Sequence, residues 1–102
     1  MDLVRCVILR WIGDEPQPGW AEASLTDVHG RTWLFHDKPP IFSGDIATPA
    51  TRLPMAGALR CEITGRRTEG GKQLVEVATI DTDSVDGRYR FEVSPDQITG
   101  AD

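Results

Sequence analysis

The five residues Asp27-Val28-His29-Gly30-Arg31 constrain the fold more than any other stretch, because only one way of turning on them keeps the flanking side chains sorted. Asp at the first position and Gly at the fourth suit a type I turn closed by a left-handed glycine, the three-residue hairpin with a bulge. That turn pairs Asp27 with Arg31, Leu25 with Trp33 and Ala23 with Phe35. Its other face sets Glu22, Ser24 and Thr26 against His36, Leu34 and Thr32. A two-residue turn on His29-Gly30 would pair Thr26 with Trp33 and Ser24 with Phe35, mixing polar and apolar. A slip of one residue moves every side chain to the opposite face, so the bulged hairpin is expected.

The hairpin also separates the two histidines. His29 falls at the turn, and His36 lies about 20 Å along an extended strand at ~3.3 Å per residue. A shared metal ion is excluded. His36 is expected to point outward, across from an exposed Glu22, and Pro39-Pro40 ends the strand because neither residue has an N–H for pairing.

The rest of the chain follows the same rhythm of β-branched and aromatic runs broken by Gly, Pro and Asp. Strands are expected near 3–12, 19–27, 31–37, 57–67, 73–81 and 88–94. A three-residue turn on Glu69-Gly70-Gly71 would pair Cys61 with Thr79, Ile63 with Val77 and Gly65 with Val75. A two-residue turn on Asp86-Gly87 would pair Ile80 with Val93 and Thr82 with Phe91, leaving Asp83 opposite Arg90. The apolar parity changes along residues 75 to 80, which predicts a bulge near Ala78 to Asp81. "DEPQPG", 14 to 19, reads as a loop. The long crossing at about 39–56 leaves room for a helical turn near 44–48, with Ile41 and Phe42 plugging one end. No internal repeat is visible. Meander, crossing and hairpin predict one all-β domain over 1–102, a five- to six-stranded barrel of OB-like or elongation-factor-like type.

The stretch from Asp27 to Phe42 resembles a pattern found in small, uncharacterised bacterial β-proteins: D-x-x-G-R, an aromatic strand through Phe35, then Lys38, Pro40 and Phe42. The resemblance implies a small cytosolic bacterial β-protein and no particular activity.

Composition narrows the function classes. The chain of 102 residues has 11 Lys and Arg against 16 Asp and Glu, a net charge of −5, which disfavours phosphate backbones and anionic lipid overall. The charge is uneven, with the cations concentrated between Arg52 and Lys72. No apolar run approaches the ~18 residues of a membrane span, so a cytoplasmic protein is expected. Cys6 and Cys61 lie in apolar strand patterns and are expected to be reduced, buried hydrophobes.

Candidate chemistry is sparse. A nucleophile needs a base within hydrogen-bond reach, and neither histidine is placed beside one. Residues 81 to 92 have the acidic spacing of a calcium loop at first sight, but the fifth position is Val85 and glycine falls at the seventh position. No cofactor, metal site or identifiable catalytic residue is expected, and a small enzyme with an unrecognised site is the third reading. Binding remains. Arg60, Arg66 and Arg67 form a candidate basic strip, and Trp11 and Trp20 are candidate exposed aromatics. Together they would suit an OB-like single-stranded nucleic-acid groove. An exposed aromatic beside arginine suits a protein interface equally, with Glu22 and His36 adding polar contacts. A protein partner is the preferred expectation, given the charge.

Overall fold

The computed structural model describes residues 1–12, 20–42 and 53–100. The expected loop at 14–19 and helical turn near 44–48 lie outside the described residues. The strands are β1 (Asp2–Ile12), β2 (Trp20–Thr26), β3 (Thr32–Asp37), β4 (Met55–Glu69), β5 (Lys72–Thr79), β6 (Arg90–Val93) and β7 (Ile98–Gly100). A four-residue helix, α1 (Pro39–Phe42), begins at the proline pair that ends β3. All pairings are antiparallel, in the order β3-β2-β1-β4-β5-β6, with β7 added to β1. The chain is an all-β, barrel-like domain.

Two long strands curl the sheet. β1 pairs with β4 along its length from Asp2 to Ile8, while its other edge is shared between β7 at Asp2 to Val4 and β2 at Val7 to Ile12. Its register with β2 shifts between Ile8 and Arg10, and such a bulge adds local bend and twist. β4 changes partner at Cys61, pairing with β1 before it and with β5 after it. The outer strands β3 and β6 therefore swing toward each other. Two backbone bonds bridge the seam between them: Val28 N–H to the Glu92 carbonyl at 2.8 Å, and Val85 N–H to the Leu34 carbonyl at 2.7 Å.

The core collects one face of every long strand. Ile8, Ala23 and Phe35 form one cross-strand row and are fully buried. Phe91 closes the core from the far side of the seam, its ring centre 5.6 Å from Phe35 and 5.8 Å from Trp33. Phe42 is also fully buried, with Ile41 packed against the core beside it. Gly57 makes room for α1: a Cβ there would stand 2.5 Å from the Phe42 carbonyl oxygen.

The first hairpin has the expected register, including Leu25 with Trp33 and Ala23 with Phe35. The second keeps Cys61 with Thr79 and Ile63 with Val77 but turns on two residues, Gly70-Gly71, pairing Glu69 with Lys72. Both glycines have positive φ, 58° and 80°, which a tight hairpin turn requires. A register shift between Ile63 and Gly65 absorbs the difference, so Gly65 faces Glu76 instead of Val75. Ile63 is half-buried. The third hairpin departs furthest. β6 pairs Phe91 with Val77 and Val93 with Val75, and the strand ends at Thr79 where a bulge was expected. Ile80 N–H still donates to the Arg60 carbonyl and the Tyr89 carbonyl still accepts from Thr79, but the residues between them leave the ladder and cross to β3, where Val85 N–H donates to the Leu34 carbonyl.

Candidate functional site

The loop that departs from the sheet contains a second copy of the first turn. Asp27-Val28-His29-Gly30-Arg31 and Ser84-Val85-Asp86-Gly87-Arg88 share Val, Gly and Arg at the same positions and close by the same bonds. In each, the first N–H donates to the fifth carbonyl at 2.8 Å, and the glycine N–H donates back to the first carbonyl. In each, the arginine N–H donates to the first side chain at 3.0 Å, the Asp27 carboxylate or the Ser84 hydroxyl. The glycine φ angles are 81° and 82°. The second residue of each turn, Val28 or Val85, makes the bond across the seam.

The arginines of both turns lie against one ring. The guanidinium carbons of Arg31 and Arg88 lie 4.8 and 4.6 Å from the centre of the Trp33 indole. Arg88 also donates from Nε to the Arg90 carbonyl at 2.7 Å, and Arg90 lies 5.5 Å from the ring of the exposed Tyr89. Among the described residues, none of these three arginines forms an ion pair with a carboxylate. The Asp27 carboxylate ties the turn to the ring. Its Oδ1 accepts from the His29 and Arg31 N–H groups at 2.9 and 3.0 Å, and its Oδ2 accepts from Trp33 Nε1 at 2.9 Å. Burial alone would raise the Asp27 pKa. The Trp33 bond and the two backbone bonds outweigh it and hold the carboxyl below its ordinary value.

A second feature covers the outer face of β1, β2 and β3. Ala56, Val7, Ser24 and Leu34 lie in one cross-strand row on the face opposite Ile8, Ala23 and Phe35. Val85, 56% exposed, extends the row through its bond to the Leu34 carbonyl. No charged side chain interrupts it. On one side runs the row Arg10, Glu22 and His36. Glu22 Oε1 accepts from Arg10 Nε at 2.9 Å, and Glu22 Oε2 lies 2.9 Å from His36 Nε2. Glu22 faces outward as expected but is only 7% exposed, because its two partners cover it from both neighbouring strands. Its carboxyl is held below the ordinary range by the Arg10 bond first and the His36 bond second, against its burial.

The other candidates are scattered. Arg60 is held by Asp81 through two bonds of 2.6 and 2.7 Å. Arg67 pairs with Glu92 at 2.8 Å and Glu69 at 3.1 Å, and Glu92 also meets His29 at 2.8 Å. Arg66 is exposed and lines a cavity of about 220 Å³ with Arg67, Gln73, Leu74 and Pro95. Trp20 is exposed; Trp11 is half-buried against the core, its enclosed indole N–H without a partner among the described residues. Leu3 stands opposite Arg60, and Trp11 lies eight residues farther along β1, roughly 26 Å at ~3.3 Å per residue. Arg66 is farther still, along β4. The aromatics and the basic strip are thus at opposite ends of the molecule.

Cys6 and Cys61 are buried free thiols. Burial pushes Cys6 up to about 12; burial, with Asp2 nearby, pushes Cys61 up to about 11. Neither is poised as a nucleophile. Among the described residues no group of His, Cys, Asp and Glu could hold a metal ion, and no helix is long and apolar enough to cross a membrane. No family model, curated protein or solved structure matches this chain, so function rests on this geometry.

Proposed function

We infer that this protein is a binding module that docks on another protein through the outer face of β1, β2 and β3. The uncharged row Ala56–Val7–Ser24–Leu34–Val85 carries this reading. Five adjacent segments at ~4.8 Å spacing span about 19 Å, enough for the centre of a patch of ~800 Å² per partner. The Arg10–Glu22–His36 row on one side and the Thr26–Thr32 hydroxyl pair on the other give it the polar rim that interfaces have. The strand order, with β1 between β2 and β4, supports an OB-like barrel as the scaffold. The single-stranded nucleic-acid reading has less support, since Arg60 and Arg67 are engaged by carboxylates and far from Trp11 and Trp20.

The test is affinity capture from the native cell extract, with and without nuclease, comparing the natural chain with Leu34→Glu and Arg66→Gln. Protein partners that survive nuclease, are lost with Leu34→Glu and are kept with Arg66→Gln support the reading. Capture that disappears with nuclease, or is indifferent to Leu34→Glu, refutes it.

A further inference from the structure

Arg31 and Arg88 are positioned before any partner arrives. Each sits at the end of a closed turn with its backbone N–H fixed at 3.0 Å, and Arg88 is held again through its Nε. A guanidinium over an aromatic ring spends its face on the ring and keeps edge N–H donors for an oxyanion. Both cations lie against the same indole, and neither has an ion-pair partner among the described residues. A segment bringing several carboxylates supplies acceptors for both.

We propose that Arg31 and Arg88, with Arg90 and Tyr89 beside them, form a recognition site for the side-chain carboxylates of an acidic peptide segment. The proposal rests on the protein-binding reading and supplies the chemistry of the partner, but it uses different residues. Continuity argues for it: Val85, the last member of the uncharged row, belongs to the same turn as Arg88 and is bonded to Leu34, the neighbour of Trp33. A segment that sets an apolar side chain beside acidic ones matches both surfaces. The surroundings argue against a long polyanion. Asp83 and Asp86 lie in the same loop and the chain carries −5 overall, so a phosphate backbone running past the arginines would meet its own charge. Carboxylates on a peptide need only local complementarity.

The experiment is an amide NMR titration of the isotope-labelled full chain with a short oligoglutamate, an oligoserine and an oligothymidylate at low ionic strength. Oligoglutamate is expected to shift Arg31, Arg88, Tyr89, Arg90 and the Trp33 indole N–H, and oligoserine to shift none of them. Arg88→Gln and Arg31→Gln should each weaken binding about tenfold, as loss of one charge-assisted contact implies. Arg5→Gln, exposed on β1, should leave it unchanged. Two arginine variants guard against one disturbing its turn, which the remaining amide signals would reveal. Absent shifts, shifts elsewhere, or unchanged binding in both arginine variants overturns the proposal. Tighter binding of oligothymidylate also overturns it, in favour of nucleic acid. None of these failures touches the Leu34→Glu capture result, so the two readings fall separately.

Discussion

Replacing Asp27 by Asn keeps the size of the side chain and removes its ability to accept on both sides. The carboxylate has two backbone N–H donors on one oxygen and the Trp33 indole N–H on the other. An amide has one oxygen. Turned toward the backbone, it preserves the turn and points its own N–H₂ at the indole donor. Turned toward the indole, it gives up both turn bonds. The first choice is cheaper, and it leaves Trp33 Nε1 facing a donor in a site where Asp27 is only 8% exposed. A hydrogen bond to a charged group is worth ~1.5–3 kcal/mol, and stranding a buried donor costs ~1–3 kcal/mol, with overlap between the two. A loss of about 2–4 kcal/mol is expected, against a total of ~5–15 kcal/mol for a domain of this kind.

Urea unfolding followed by circular dichroism measures it, and a double-mutant cycle identifies the cause. Trp33→Phe removes the indole donor, so Asp27→Asn should cost ~1–2 kcal/mol less in that background. The pH dependence supplies a second check. The folded Asp27 pKa lies below its unfolded value of ~3.9, so its contribution is complete above that value and is lost as pH falls through the folded one. The Asn variant should therefore lose less stability on acidification than the natural chain. A cost below ~0.5 kcal/mol, or an identical cost in both backgrounds, would refute the reasoning.

Gly57→Ala should destabilise by ~1–3 kcal/mol, because the added Cβ meets the Phe42 carbonyl oxygen at 2.5 Å and a backbone atom cannot rotate away; thermal unfolding measures it. Phe35→Ala should cost ~3–5 kcal/mol in urea unfolding, since Phe35 is fully buried against Phe91. A disulfide reagent near neutral pH should leave both thiols unlabelled in the folded chain and label both in urea, because burial raises Cys6 to about 12 and Cys61 to about 11. Cys6 pairs with Gly57 and Cys61 with Asp2, four residues along the strands or roughly 13 Å, too far for a disulfide, so mass spectrometry should find none.

Where one strand face must be buried, the sequence could be read; where pairing ended, it could not. The first hairpin was legible because Leu25, Trp33, Ala23 and Phe35 all had to share a face, and only one turn allowed it. The second kept its register through Ile63 and Val77 but lost it toward the tip. Beyond Gly65 the β4 side chains are charged or exposed, so either turn length satisfied the pattern. The third misled because Ile80 continued an apolar run and Asp86-Gly87 is a strong two-residue turn signal. Ile80 is exposed in the structure, and burial gave it no say over the register.

The candidate site was hidden for a related reason. Its two halves lie 57 positions apart, and the shared Val, Gly and Arg cover too few residues to register as an internal repeat. The clue was the glycine. Gly87 stands three residues after Ser84, as Gly30 stands three after Asp27, and each is followed by arginine. Reading Ser84-Val85-Asp86-Gly87-Arg88 as the same three-residue turn would have moved the third hairpin off the β5 ladder, where Asp86-Gly87 alone kept it. The two arginines could then have been expected at equivalent places on two similar turns. What sequence could not supply is the seam. Val28 and Val85 each bond to the opposite strand only because the bulge in β1 and the change of partner in β4 curl six strands far enough for the edges to meet. That closure is a sum of small bends over the whole sheet, and it brings Arg88 over a ring that belongs to β3.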